Sequence, residues 1–143
     1  MVRRRPTRAG ISFASFAVVT VRVLIVEDEA VLRKNLARLF LREGYEVTTA
    51  SNRAEALGEL SRARFGALLL DVKLPDGDGL ELLAALGPSQ RPPRTFVMTA
   101  SSTPETETRA KDLHVQRLLR KPLDLTRLLG IVGKALCSAE ASP

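Results

Sequence analysis

Short apolar runs alternate with amphipathic stretches along the chain from Val21 onward. The apolar runs have the length and the aliphatic character of strands that are covered on both faces. The stretches between them repeat apolar residues at three- and four-residue spacing, which is typical of helices that pack one face on a core. We predict strands at 21–26, 45–49, 67–70, 94–98 and 115–119, and helices at 30–42, 53–64, 80–86, 104–113 and 125–137.

The predicted helices have recognisable ends. Gly44 follows the first helix and stops it. The second, fourth and fifth helices are preceded by polar residues that can cap them: Ser51 or Asn52, Ser102 or Thr103, and Asp124. The first helix has five apolar side chains on one predicted stripe: Val31, Leu32, Leu36, Leu39 and Phe40.

Five successive strand and helix pairs define a fold class. Strands that alternate with helices imply right-handed crossovers and a parallel sheet. We therefore predict an α/β domain over residues 21–137, with a doubly wound five-stranded parallel sheet between two layers of helices. Residues 1–20 are expected to be a poorly ordered basic and apolar extension, and residues 138–143 a tail.

Charge and composition narrow the classes of function. The 143 residues carry a net charge of +6, but four of the 22 basic residues precede the domain and one of the 16 acidic residues follows it. The domain itself is therefore only mildly basic, at about +3. Aromatic residues make up 4% of the chain and do not alternate with the basic ones, as stacking platforms for nucleic acid would. We expect no nucleic-acid binding by the domain.

The first twenty residues resemble a signal peptide in part, since basic residues at 3–8 precede an apolar stretch at 11–19. Arg22 interrupts the apolar stretch and no cleavage site of small residues follows, so a targeting signal is the less favoured alternative. The stretch is also shorter than a membrane span of about 20 apolar residues. The single cysteine, Cys137, excludes an internal disulfide. We predict a buried structural thiol and a cytoplasmic location.

Polar residues follow four of the five predicted strands. The first strand leads into Glu27 and Asp28, the third into Asp71, the fourth into Thr99 and the fifth into Lys121. The carboxyl ends of parallel strands meet at one edge of a sheet, where open α/β sheets bind their ligands. Carboxylates suit a divalent cation, and the hydroxyl and the ammonium suit a phosphoryl group. The sequence therefore predicts a site for a cation and for a phosphoryl group on Asp71.

Taken together, these segments resemble the receiver domain of two-component response regulators. The resemblance depends on residues 23–29, residues 71–79, Thr99-Ala100 and Lys121-Pro122, in that order and at these spacings. It covers residues 21–137 and implies a flavodoxin-like sheet of order 2-1-3-4-5. In such a sheet Asp28 and Asp71 face each other across the point where the strand order reverses.

The resemblance also implies a role for each residue of the site. Asp71 would be the phosphoacceptor. Mg²⁺ would be held by the carboxylates of Asp28 and Asp71, by Glu27 through a water, and by the backbone carbonyl of Lys73. Lys121 would offset the charge of the phosphoryl oxygens, and the hydroxyl of Thr99 would bond to one of them only in the modified state. The chain would catalyse nothing beyond its own phosphorylation and dephosphorylation.

Each of these residues also has a purely structural interpretation. Asp28 could cap the helix from Ala30, Asp71 could stabilise the following turn, and Lys121 could be solvated. Asp76 and Asp78 lie among prolines and glycines, so we interpret them as turn residues without a catalytic role.

Two positions depart from the usual receiver pattern. Leu118 stands where receivers usually carry Tyr or Phe, whose ring moves inward with the threonine. We expect a core leucine and coupling through backbone shifts, with loss of switching as the alternative. His114 stands where glycine often ends the fourth helix, and we expect a helix cap in the left-handed region.

The functional hypothesis is a stand-alone receiver that accepts phosphate from a histidine kinase or a histidine phosphotransfer protein. It would signal through helix four, strand five and helix five to an unknown protein target, as a monomer or weak homodimer, with no DNA-binding domain and no membrane contact. The alternative is an interaction module that binds partners without phosphorylation. A hydrolase with Asp71 as covalent nucleophile is less favoured, because the second residue after Asp71 is Lys73 rather than aspartate.

Overall fold

The structure, a computed structural model, describes residues 20–141 and, within that range, side chains up to residue 137. Its strands are β1 Arg22–Val26, β2 Glu46–Ala50, β3 Ala67–Asp71, β4 Lys73–Leu74, β5 Gly77–Asp78, β6 Arg94–Thr99 and β7 Arg117–Arg120. Its helices are α1 Ala30–Arg42, α2 Arg53–Arg62, α3 Gly79–Ala85, α4 Pro104–Asp112 and α5 Leu125–Ala141. The predicted extension lies outside the described residues, apart from Thr20.

The five longer strands form one parallel sheet in the order β2-β1-β3-β6-β7. This is the predicted order 2-1-3-4-5 and confirms the predicted fold class. The two short strands, β4 and β5, pair antiparallel in a hairpin between β3 and α3. Two-residue strands carry no periodic pattern, and the sequence therefore indicated only a turn at this place.

The sheet separates two apolar cores, because successive side chains of a strand point to opposite faces. On one face, side chains of β1, β3 and β6 pack with α2 and α3, and the residues just after α4 and in β7 border this core. On the other face, alternate side chains of the same strands pack with α1 and α5. All five residues of β3 are buried, which explains why its sequence is a continuous apolar run.

The predicted helix ends are largely confirmed. Asn52 and Thr103 accept hydrogen bonds from backbone N–H groups in the first turns of α2 and α4, and Asp124 accepts one from Arg127. His114 follows α4 with φ 57°, the left-handed conformation that was expected there. Helix α5 continues to Ala141, four residues beyond its predicted end, because the segment contains good helix formers and no glycine or proline.

The side chains of Val31 and Cys137 are exposed although they were predicted to be buried, and Leu57, predicted to face inward from α2, is 40% exposed. Val31 is 67% exposed because it lies about 100° around α1 from Leu32, at the margin of the buried stripe. The prediction of a buried thiol at Cys137 is also wrong. Cys137 lies five residues after the buried Val132, which places it about 140° around α5 from the face that packs on the sheet. Within residues 20–141, no helix is long and apolar enough to cross a membrane.

Candidate functional site

A crevice of about 780 Å³ opens at the carboxyl end of the parallel sheet. The register of the strands explains what lines it. Val26 pairs with Leu70, so the next residues, Glu27 and Asp71, emerge side by side from the two central strands. All six predicted site residues line this one crevice: Glu27, Asp28, Asp71, Lys73, Thr99 and Lys121. The structure therefore brings together everything that the sequence placed in the site.

Lys121 connects the two buried acids of the crevice. Its Nζ donates to Oε1 of Glu27 at 2.7 Å and to Oδ2 of Asp71 at 2.9 Å. Glu27 is fully buried and Asp71 is 4% exposed, whereas a fifth of the Lys121 side chain remains exposed. The interpretation of Lys121 as a solvated lysine is therefore wrong. Buried carboxylates need such a partner, because an unpaired buried charge is costly.

Burial and pairing shift the pKa values of this cluster. Burial raises the pKa of Glu27 above its usual range, although hydrogen bonds from Lys121 and from the backbone N–H of Glu29 oppose the shift. Burial alone would lower the pKa of Lys121, but its hydrogen bonds to Glu27 and Asp71 outweigh that effect and raise it. Lys121 is thus a cation that two carboxylates hold in the charged form.

Three of the acids that line the crevice form a group that suits a metal ion. Glu27, Asp28 and Asp71 each present a carboxylate oxygen, and these oxygens lie within 4.8 Å of one another. Asp28 does not cap α1, since Glu29 occupies the N-cap position and no side-chain cap bond is made there. The exposed carboxylate of Asp28 is therefore free to bind an ion. An all-oxygen donor set of this charge fits a hard divalent cation such as Mg²⁺.

The sequence left two interpretations of Asp71 open, a turn residue and a residue of the site, and its carboxylate makes the contacts expected of both. Its Oδ1 accepts a hydrogen bond from the backbone N–H of Lys73 at 3.3 Å, which is the turn contact expected of an aspartate at this place. Its Oδ2 is bound to Lys121. The carboxylate is thus fixed from both sides at the wall of the crevice. Lys73 also lines the crevice, and its backbone is held by the pairing of β4 with β5.

The hydroxyl of Thr99 faces its own loop in this structure. It donates to the backbone carbonyl of Ser101 at 2.8 Å and accepts from the N–H of the same residue at 3.1 Å. Thr99 is nevertheless buried at the wall of the crevice. A rotation of the side chain that broke both bonds would release the hydroxyl for a ligand.

Gly79 supports the position of Asp71 in a way that the sequence analysis missed. Its N–H donates to the carbonyl of Val72 at 2.7 Å, and α3 begins at this residue. A Cβ at position 79 would collide with the backbone oxygen of Asp71. Only glycine allows α3 to approach the end of β3 so closely. The sequence signal was present as the Gly77-Asp78-Gly79 run, but a turn explained it equally well.

The two aspartates interpreted as turn residues make contacts beyond the turn. Both carboxylate oxygens of Asp76 accept from backbone N–H groups at the start of α2, those of Arg53 and Ala54. Asp78 caps α3 and also pairs with Arg109 of α4 at 2.9 Å. The loop after Asp71 is therefore bound to two helices. Pairs separated by more than twenty residues leave no local pattern, so sequence reasoning could not find them.

Leu118 lies where β7 pairs with β6, opposite Val97. It is partly buried and packs against the core between the sheet and helices α2 and α3. This agrees with the expected core leucine.

A parallel five-stranded α/β domain with paired acids, a threonine and a lysine at the carboxyl ends of its strands defines the receiver class of signalling proteins. A family model described as the response regulator receiver domain matches residues 23–133, and the chain belongs to that family. Members of the family act in two-component and phosphorelay signalling.

The chain is similar to receivers of different length. The crystal structure of a CheY-like response regulator receiver domain protein from Methanospirillum hungatei JF-1 matches with a TM-score of 0.79 and 25% identity, over 86% of this chain and 98% of that one. Sporulation initiation phosphotransferase F of Bacillus subtilis is 31% identical over 80% of this chain and 93% of its own length.

The DNA-binding transcriptional regulator NtrC of Rhizobium meliloti is 31% identical over 85% of this chain but only 25% of its own length. The chain spans between a quarter and about half of the length of NtrC and of two other curated relatives that it matches. The likeness to these longer proteins therefore concerns their receiver portions.

Proposed function

We propose that the protein accepts a phosphoryl group on Asp71 from a histidine kinase or a histidine phosphotransfer protein and signals by a change in protein binding. The observation that carries this proposal is the Asp71 carboxylate, fixed at the crevice wall within 2.9 Å of the Lys121 ammonium and beside two further acids. The chain is also similar to a phosphotransferase over nearly the whole length of that protein, which supports the same class of reaction.

In the proposed transfer, a carboxylate oxygen of Asp71 attacks the phosphorus of a phosphohistidine on the partner. A new P–O bond forms as the P–N bond to the imidazole breaks, and the imidazole leaves with the bonding electron pair. The protein contributes positioning and charge neutralisation rather than acid–base chemistry. Lys121 already contacts Asp71, and it offsets the negative charge that the phosphoryl oxygens bring to this position.

Mg²⁺ is the proposed cofactor. The carboxylates of Asp28 and Asp71 and the backbone carbonyl of Lys73 would hold it directly, and Glu27 would hold it through a water. When bound, the ion would neutralise charge on the phosphoryl oxygens and help to align the two reactants.

The proposed response begins at Thr99. Its hydroxyl exchanges its two bonds to Ser101 for a bond to a phosphoryl oxygen, and the loop between β6 and α4 moves with it. We call the surface formed by α4, β7 and α5 the output surface. Leu118 has no hydroxyl and no flat ring to follow the threonine, so the movement reaches this surface through the backbone of β7.

Leu118 is also the one residue that favours a second function. If the Thr99 hydroxyl were not coupled to the core, the receiver would bind its partners with the same affinity whether or not it was phosphorylated. The acids, Thr99 and Lys121 all remain in the crevice, and for this reason we place the phosphorylation-dependent function first.

The direct test is the mass of the intact protein after incubation with acetyl phosphate, with and without Mg²⁺. We expect an Mg²⁺-dependent gain of one phosphoryl group, about 80 Da, in the wild type and in Asp112→Asn, a control at an exposed position on α4. Asp71→Asn should gain nothing. A gain that persists in Asp71→Asn would place the acceptor elsewhere, and a folded wild type that gains nothing would favour constitutive binding.

A further inference from the structure

A second groove, of about 700 Å³, lies between α5 and the amino-terminal ends of β6 and β7. It is at the opposite end of the sheet from Asp71. Four cationic side chains line it: Arg94, Arg117, Arg127 and Lys134. We call it the basic groove. It shares β7 and α5 with the output surface, and nothing in the proposed phosphoryl transfer uses its side chains.

Among the side chains that the structure describes, none that lines the basic groove is acidic. Within residues 20–137, none of its four cations takes part in an ion pair, since the ion pairs of this part of the chain all involve other basic residues. The sequence of β7, and that of α5 up to Cys137, contains no Asp or Glu. Four like charges in one groove repel each other, and an anionic ligand would remove that cost.

Two features shape the groove: a hydrogen bond that fixes Arg94, and a glycine that leaves the backbone of α5 accessible. Arg94 donates through Nε to the carbonyl of Ala135 at 3.4 Å, which holds its side chain against α5. Along α5 the lining residues recur at helical spacing, from Arg127 through Ile131 to Lys134. Gly130 lies between them, and a Cβ added there would meet nothing within 4 Å. A bound segment can therefore approach the backbone of the helix.

From this geometry we infer that the basic groove binds an acidic segment of a partner protein, one that carries an apolar residue among its Asp and Glu side chains. Ile131 and Ala135, both half-buried, give the groove an apolar strip beneath its charged rim. An apolar strip suits a peptide side chain and offers nothing to a phosphate backbone. None of the groove's described lining residues is aromatic, so they offer bases no stacking surface.

A second copy of this chain fits the groove poorly. Two copies related by a twofold axis through the groove would bring eight cations together without an intervening acid. The inference therefore deepens the proposed function by naming the chemistry of the protein partner, and it rests on that proposal for the location of the output surface. The coupling to Asp71 would run through β7, which ends next to Lys121.

The test uses a fluorescein-labelled peptide of about ten residues, rich in Asp and Glu around a central Leu, and measures its fluorescence anisotropy with the full chain at low salt. We expect binding that weakens as salt rises. Replacing the acids of the peptide by Asn and Gln should abolish binding.

The double variant Arg127→Gln/Lys134→Gln should weaken peptide binding about tenfold, because both side chains line the groove. Its matched control is Lys34→Gln/Arg38→Gln, which removes two exposed and unpaired charges from α1 and should change affinity less than about twofold. These positions are exposed in both variants, so folding should be unaffected. Equal weakening by the two variants would overturn the inference, since binding would then follow net charge alone.

Two competitors give further outcomes that would overturn the inference. If single-stranded DNA of the same charge binds as tightly as the peptide and is lost in the same variant, the groove is a nucleic-acid site. If inorganic pyrophosphate displaces the peptide at equal concentration, the groove recognises simple anions.

Peptide binding and the mass of the intact protein, both measured after treatment with acetyl phosphate and Mg²⁺, separate this inference from the proposed function. Failure of the mass gain with peptide binding intact would contradict the function alone. A normal mass gain without peptide binding would contradict the groove alone.

Discussion

The centre of the sheet and its β7 edge are built differently. Strands β1 and β3 are buried throughout, apart from Arg22, and they present Glu27 and Asp71 on a rigid support. Strand β7 is an edge strand of four residues, of which two are exposed and two half-buried. The central strands thus support the two buried acids, whereas the edge is more exposed to solvent, which is typical of segments that open more easily.

One side chain connects the two regions. Lys121 follows β7 directly, its N–H donates to the carbonyl of Thr99, and its ammonium reaches across to Glu27 and Asp71. A change in charge at Asp71 therefore acts on a residue that belongs to the edge. A buried centre and a partly exposed edge therefore share one ion-pair network.

The largest expected effect comes from breaking this connection. Lys121→Ala should still take up a phosphoryl group when Mg²⁺ is present, but the conformational response should be lost, because the phosphoryl group then lacks the cation that directly follows β7. Amide NMR shifts of α4 and β7, recorded before and after acetyl phosphate, would measure the response. Shifts as large as those of the wild type would show that the edge responds through another residue.

The next effect tests the rigidity of the centre. Gly79→Ala should lower the free energy of unfolding by about 1–3 kcal/mol, because the new Cβ collides with the backbone oxygen of Asp71. Urea denaturation measures the change. The control, Gly130→Ala, places a methyl group in open space on α5 and should stabilise the protein by up to about 1 kcal/mol. Equal effects of the two substitutions would contradict the close approach at Gly79.

The smallest effect concerns the ion pair between Asp78 and Arg109, which holds the loop after Asp71 to α4. Burial alone would raise the pKa of Asp78, but hydrogen bonds from Arg109 and from the N–H of Leu80 outweigh it and lower that pKa. A lowered pKa means that the pair stabilises the fold at pH values above 3.8, the ordinary value, and that this contribution is lost as pH falls through the folded-state value.

Asp78→Asn keeps a side chain that can cap α3 and removes only the charge. We expect the wild type to be more stable than this variant by less than about 1 kcal/mol at neutral pH, because the pair is partly exposed. The difference should shrink only below about pH 4. Urea midpoints over a pH series measure it, and a difference that is constant down to pH 2 would assign the effect to the cap instead.

The fold was predictable because its information is local. Continuous apolar runs identified β1 and β3, and amphipathic spacing identified α1. The site residues were also predictable, because the carboxyl ends of parallel strands converge wherever the helices lie. The register of Val26 with Leu70 then places Glu27 beside Asp71.

The rest of the site could not be predicted because its contacts are distant in sequence. The pair between Asp78 and Arg109 joins partly exposed charges from two elements, and many other pairs were equally compatible with the sequence. The position of the Thr99 hydroxyl depends on a side-chain rotation, which no sequence pattern determines. The burial of Cys137 was predicted wrongly because one position along a helix corresponds to a rotation of about 100°. An apolar residue one position away from the buried face of a helix can therefore be exposed to solvent.

The most direct test of the account is hydrogen exchange of the wild type before and after acetyl phosphate with Mg²⁺, read peptide by peptide by mass spectrometry. We expect changed exchange from Thr99 through β7 and into α5, and unchanged exchange in β1 and β3. In phosphorylated protein, an unchanged edge or a change confined to the central strands would contradict this expectation.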